Sequence, residues 1–364
     1  MKQKYAFIIF ILLSLLLSCG KSEKTYTVEI KDGVKHIHNN APLWGEEQKI
    51  NLELVRKIGG PDEKNENYML FKPCDLEVDG DGNIYVLDGG NYRIMKYDKE
   101  WNFIKSFGQR GEGPGELRDY QLTSQLGGNK LFIIDDRYNI ITVFDTDGNF
   151  LRNVRYDKFG SDFGILSTGE LLTNGVRESI VENRNQGNLK EGDISLIYVK
   201  DLDGNKIREF GKAKIYTEIN ANSRGNFFTI AVDTNDSIYV SFMHQNRIEK
   251  YSPAGELLFR IIRDLPFMES TKIETMMRNV FSRGIYIDNK GRIWVLGLKS
   301  QTSSKVLIEE LILEVYNPEG ILLTRVPSEV IPSLQKLQQI HGDRVFFIDT
   351  YIQMCVYEYK IVEK

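Results

Sequence analysis

The side chains in this chain that can do chemistry are carboxylates, histidines and thiols, and their spacing limits what that chemistry is. Asp79-Gly80-Asp81-Gly82-Asn83 carries the alternating oxygens of a calcium loop. An EF-hand loop needs a glutamate at its twelfth position and flanking helices. Counted from Asp79 that position is Gly90, and the apolar alternation on both sides predicts strands. A hairpin turn is therefore the expected role. The four histidines, His36, His38, His244 and His341, stand in no metal spacing with cysteine or glutamate. No Gly-x-Ser-x-Gly segment supplies a serine nucleophile. Residues 109–116 are glycine-rich but lack the Gly-Lys-Ser/Thr and the helix of a phosphate loop, so they read as a tight link. No catalytic residue, metal-ligand set or cofactor is assigned.

Polar groups recur instead at turns. Asp88, Asn91 and Arg93 sit around one, Asp135-Asp136-Arg137 at the matching place further on, and Asn246-Arg247 repeats part of the pattern. Recurrence of this kind points to a carboxylate and a guanidinium tying a turn together. The same turns are expected to line one mouth of a channel. Arg110, Arg137, Tyr138, His244 and Arg247 are the candidate ligand-binding residues of that rim. Cys74 and Cys355 do not imply a disulfide framework. Two buried free thiols are expected, and a bond closing the first repeat on the last stays open. The formal net charge of -4 gives no global field for nucleic acid.

What must position these groups is a repeat. Residues 75–108 hold four short alternating strands separated by three turn signals. A second strand recurs at Ile84-Tyr85-Val86, Leu131-Phe132-Ile133, Leu171-Leu172, Ile238-Tyr239-Val240, Ile293-Trp294-Val295 and Val345-Phe346-Phe347. The turn after the third strand recurs in five copies, beginning at Lys99, Asp145, Asp201, Ser252 and Asn317. The sixth copy ends without a fourth strand, while a lone strand of that type stands at 50–58. A ring explains both: the early strand completes the last blade. The fold predicted is an all-β, six-bladed β-propeller with four-stranded blades. The inner three strands of the blades are placed near 75–98, 120–145, 163–200, 227–251, 283–317 and 335–359. Residues 176–193 interrupt the third blade, a hairpin over 26–38 lies outside the scheme, and 265–283 carries the apolar spacing of a helix.

Residues 1–18 have a basic start at Lys2 and Lys4, an apolar run shorter than the roughly 20 residues of a membrane span, and a small residue before Cys19. Leu16-Leu17-Ser18-Cys19 resembles the lipobox of bacterial lipoproteins, in which the cysteine thiol is acylated and becomes the new amino terminus. Gly82-Asn83-Ile84-Tyr85-Val86, Asp88 and Asn91-Tyr92-Arg93-Ile94 resemble the NHL repeat. With the lipobox, the chain resembles the six-bladed β-propeller lipoproteins of Gram-negative bacteria. The resemblance implies a signal peptide over 1–18, a lipid anchor, tether and hairpin over 19–49, and a propeller over 50–364. It further implies an outer-membrane lipoprotein, with the periplasmic face expected because no acidic run follows Cys19.

The function expected is recognition: a cell-envelope binding or scaffold protein for an envelope partner or a glycan or peptide ligand. The alternative is a metal-dependent propeller enzyme, similar to the lactonases or lyases, with a channel site drawn from Asp75, Glu77, Asp233 and Asp288. Replacing Cys19 by serine is expected to abolish incorporation of labelled fatty acid and to release the protein from the membrane fraction. Undiminished labelling of Cys19→Ser would refute the anchor.

Overall fold

The computed structural model describes residues 24–45, 47–135, 137–155, 163–183, 190, 192–216, 219–265, 269, 280–298, 311–327 and 337–364. In chain order, β1 (Tyr26–Lys31), β2 (Val34–Asn39) and β3 (Ile50–Gly59) come first. Blade 1 is β4 (Pro73–Val78), β5 (Ile84–Asp88), β6 (Arg93–Tyr97) and β7 (Phe103–Phe107). Blade 2 is β8 (Thr123–Gly127), β9 (Lys130–Asp135), β10 (Ile140–Asp145) and β11 (Phe150–Arg155). Blade 3 is β12 (Gly164–Ile165), β13 (Leu171–Asn174), β14 (Ser195–Lys200) and β15 (Lys206–Lys212). Blade 4 is β16 (Phe228–Val232), β17 (Ile238–Phe242), β18 (Arg247–Tyr251) and β19 (Leu257–Arg263). Blade 5 is β20 (Ser282–Ile287), β21 (Ile293–Leu298), β22 (Leu311–Tyr316) and β23 (Leu322–Pro327). Blade 6 opens with β24 (Leu337–His341), β25 (Arg344–Asp349) and β26 (Cys355–Glu363).

Its fourth strand is β3, paired antiparallel to β26 from Ile50↔Glu363 to Gly59↔Cys355. The innermost strands touch in sequence around the circle, with β24 against β4, so the six sheets form the expected ring. The second and third strands of each blade are almost wholly buried, because both faces of every sheet are covered by neighbouring blades.

Turn chemistry builds each blade. Asp79 accepts hydrogen bonds from the amides of Asp81 and Asn83 and from the Tyr85 hydroxyl. Asp233 does the same with Asn235, Ser237 and Tyr239, and Asp288 with Lys290, Arg292 and the Trp294 indole. After the third strand, Asp98, Asp145 and Asp201 each hold the amide and the side-chain amide of the asparagine four residues on. Those asparagine donors hold all three carboxyls below their ordinary range. In these turns Gly148, Gly204, Gly255 and Gly320 take φ between 81° and 93°. Blade 1 puts Trp101 at that place, at φ 68°.

Trp101 explains its own exception. Its ring is buried against Tyr97 and Phe346, and its indole N–H donates to Glu358 of β26 at 2.6 Å. Glu358 is also held by Arg344 at 2.7 Å and Arg56 of β3 at 3.3 Å. The tryptophan thus crosses the seam between the first blade and the last. A second buried tie joins blades 4 and 5. Arg263 at the end of β19 meets Glu314 of β22 at 2.8 Å, and neither is more than 1% exposed. Burial alone would raise the Glu314 carboxyl, but Arg263 and Arg325 hold it low.

Three sequence expectations need correction. The interruption in blade 3 contains a helix, α1 (Val176–Glu182), and a second unforeseen helix, α2 (Ile219–Gly225), precedes blade 4. The apolar face of 176–182 is a single turn or two, too short for periodicity to register. Ser282 and Arg283 belong to strand β20 rather than to a helix, while 270–279 lies outside the described residues. The hairpin β1–β2 is part of the ring, because β2 pairs in parallel with β19 and makes blade 4 six-stranded. From there Asn39 bonds Gly320 and Leu322, and Leu43 and Trp44 bond the backbone of β23. Residues 26–45 and 47–59 therefore run along the outer edges of blades 4, 5 and 6. Cys74 and Cys355 are not joined in a disulfide; Cys355 is buried and Cys74 only half-buried.

Trp101→Ala is expected to cost about 3–5 kcal/mol, the usual loss for a buried aromatic. Trp101→Gly should cost about 1 kcal/mol less, because only the glycine relieves the left-handed backbone. Denaturant unfolding of the two variants measures the difference, and the reverse order would contradict this account of the seam.

Candidate functional site

The turns divide between two faces. First-to-second and third-to-fourth turns lie on one, which is closed by the carboxylate turns above. Second-to-third turns and the links between blades lie on the other, here named the link face. Asp75 lies on β4 and accepts the Ser124 amide of blade 2, while Asp233 and Asp288 close hairpins. The four carboxylates considered for a channel metal are therefore spread over one inner strand and two turns. Among the described residues no three histidine, cysteine or acidic side chains gather as an ion site.

Four of the five rim candidates lie in turns or links of the link face and Arg247 opens β18 at that end, but they separate into two groups. Arg110 rests on the Tyr92 ring at 5.2 Å, in the link from blade 1 to blade 2. Arg137 pairs with Asp119 at 2.6 Å rather than with Asp135. Tyr138 is 47% exposed and receives the Arg118 guanidinium on its ring. These three form one surface. His244 and Arg247 are two blades away. His244 is buried, and Arg247 is stacked on Phe242 at 4.1 Å and paired with Glu249 at 3.2 Å. Both are packed between elements rather than presented at a rim. The repeated turn tie holds in blade 1 alone of these: Asp88 Oδ2 accepts from Asn91 and Arg93, and Oδ1 from the Phe71 amide.

That tie organises residues the turn pattern did not reveal. Gly89 and Gly90 lie directly beneath the two neighbouring links. A Cβ on Gly89 would collide with the Tyr120 carbonyl, and one on Gly90 with Phe71. The Gly90 amide donates to the Phe71 carbonyl. Held in this way, the next residue, Lys72, takes φ 49°, a conformation that side-chain-bearing residues seldom adopt. Its ammonium lies 4.5 Å from the Tyr120 ring centroid and 5.5 Å from that of Phe71. Gln121, beside Tyr120, donates to the Tyr351 hydroxyl of blade 6 at 3.3 Å. Tyr351 and Ile352 are 57% and 69% exposed, and Met69 and Phe71 are also exposed. A continuous aromatic and cationic surface thus spans blades 6, 1 and 2. Neither Lys72 nor Arg110 has an ion-pair partner among the described residues; each rests on a ring instead. A lysine flanked by aromatics in consecutive interblade links was the visible trace of this site in the sequence.

Comparison with known proteins agrees with this architecture. Radial four-stranded sheets closed by an early strand define a β-propeller. The 6-bladed beta-propeller family model matches residues 66–295, more than half of the chain, and the chain belongs to that family. Human NHL repeat-containing protein 3 is 28% identical over 101 residues, which cover 26% of this chain and 29% of the human protein. A Bacteroides fragilis protein described as exported aligns over 90% of this chain and 98% of its own, at TM-score 0.57 and 13% identity. A member of the duf4221 family from Bacteroides vulgatus aligns over 88% and 100%, at TM-score 0.56 and 10% identity. At these identities the two structures share the fold.

Gly89→Ala is expected to force the 119–121 link outward and to destabilise the protein by about 1–3 kcal/mol, the range for overpacking. Gly80→Ala, with nothing within 4 Å of its added carbon, should leave the melting temperature unchanged. Equal melting temperatures for the two variants would show that the links do not rest on the Gly89-Gly90 turn.

Proposed function

We propose that this chain is a lipid-anchored binding protein of the cell envelope, held at the outer membrane through Cys19. Its link face captures an acidic ligand that also carries a ring or an apolar face. The observation that carries this reading is the placement of Lys72 and Arg110 on aromatic rings rather than on carboxylates. A cation on a ring gains stabilisation without being neutralised, so its charge remains available to an anion. The exposed Tyr351, Ile352, Phe71 and Met69 offer adjacent apolar area of the kind that marks binding surfaces. Aromatic residues and arginine are also the side chains most often dominant in recognition. The links bearing them are fixed by hydrogen bonds to a rigid sheet, which lowers the entropy lost on binding.

Carboxylates or sulfates beside a sugar ring, or acidic residues beside an apolar one, both present this chemistry. Calorimetric titration with acidic oligosaccharides, acidic peptides and the neutral counterpart of each separates the sources. Lys72→Glu and Arg110→Glu are each expected to weaken the acidic ligand at least tenfold. Tyr351→Ala should weaken it without altering the salt dependence. Unchanged affinity in both charge reversals would refute the site.

A further inference from the structure

Among the described residues the link face holds one carboxylate whose surroundings are incomplete. Asp88 and Asp135 end the second strands of adjacent blades. Asp88 pairs across with Arg93, and Asp135 with Ile140. In blade 1 the carboxylate is fully engaged, with Oδ2 taking Asn91 at 2.8 Å and Arg93 at 2.9 Å. In blade 2 the corresponding places hold Tyr138 and Ile140, whose side chains supply no such donor. Oδ1 of Asp135 accepts the amides of Arg137 and Tyr138. Among the described residues Oδ2 has no partner, although it is buried in a residue only 6% exposed. The Asn139 side-chain oxygen on the same turn is also buried and unpartnered. Asp135 lines a small cavity with Glu116, Arg118, Ile140, Thr142 and Asn153.

We propose that this cavity binds a primary ammonium group of a ligand, with Asp135 Oδ2 as its acceptor. What blade 2 lacks is a cation bearing N–H donors, the role Arg93 plays in blade 1. The nearby guanidinium groups are otherwise engaged, Arg118 with Glu112 and Arg137 with Asp119. The cavity is on the scale of a single water molecule, which an ammonium matches and a guanidinium exceeds. Thr142 and Asn153 offer further oxygens to its remaining hydrogens. Burial pushes the Asp135 carboxyl above its ordinary range, as it does that of Asp88; the neighbouring Asp119 adds to this and the Arg118 charge opposes it. The site is separate from the acidic-ligand surface, since neither Lys72 nor Arg110 takes part.

The test is titration of the purified chain with methylammonium chloride, followed by amide chemical shifts. Tetramethylammonium chloride at the same ionic strength is the control, because it has no N–H to donate. Saturable shifts around residues 135–142 are expected from methylammonium alone, and Asp135→Asn should weaken them at least tenfold. Ile140→Lys should bring an ammonium to Asp135 from within the chain, filling the cavity, so that methylammonium binding is lost while the melting temperature rises. A cavity that holds only structural water would give identical responses to the two salts, which overturns the proposal. Undiminished methylammonium binding in either variant overturns it as well.

Discussion

Ring closure is the constraint on which everything else in this molecule depends. A four-stranded blade has two apolar faces, and neither is buried unless another blade lies on each side. An open row of six would leave one face bare at each end. Here the last gap is closed without any covalent bond, by β3 completing the sheet of β24–β26. The seam is reinforced where hydrogen-bonded strands alone would leave it weakest. Trp101 occupies a left-handed position that four other blades give to glycine, and it reaches across to Glu358. The cost of that backbone conformation is about 1–2 kcal/mol, less than the burial of an indole returns.

The acidic residues that look most chemical are consumed by this architecture. Asp79, Asp233 and Asp288 each collect two backbone amides and an aromatic donor, and Asp98, Asp145 and Asp201 each collect an asparagine. One face of the ring is thus committed to holding hairpins shut. The link face has that duty only at its second-to-third turns, as at Asp88 and Asp135. Its segments cross between blades and are shaped by what they pack on rather than by a repeated turn, so its side chains vary from blade to blade. The aromatic and cationic surface over blades 6, 1 and 2 is the product of that freedom.

The blades were legible because alternating apolar residues and turn residues recur six times, and a strand of period two has no other stable place to go. The seam was legible from a missing strand at one end and a spare one at the other. The parallel docking of β2 on β19 was not, because nothing in Val34 to Asn39 distinguishes a free hairpin from one added to a sheet edge. The rim was only half legible. Arg137 and Arg247 look alike as turn arginines, yet one is 59% exposed along its side chain and the other only 11%. The difference comes from Phe242 and Glu249, which receive Arg247 between elements, and such contacts are tertiary. Phe71, Lys72 and Tyr120 escaped notice because links between blades have no period to read.

The position of β3 also has a temporal meaning. Lys57 and Gln353 bond across the seam although 296 residues separate them. Among the described residues β3 precedes every other radial blade strand in the chain, and its partner β26 follows them all. The four radial strands of each of blades 1 to 5 are neighbours in sequence. Blade 6 is incomplete until the final strand arrives. The entropy of joining the ends grows only with the logarithm of the loop, and the intervening blades, once folded, already bring β3 and β26 close. Closing the ring therefore requires strands from both ends of the propeller, and the edge of β3 stays open until β26 pairs with it.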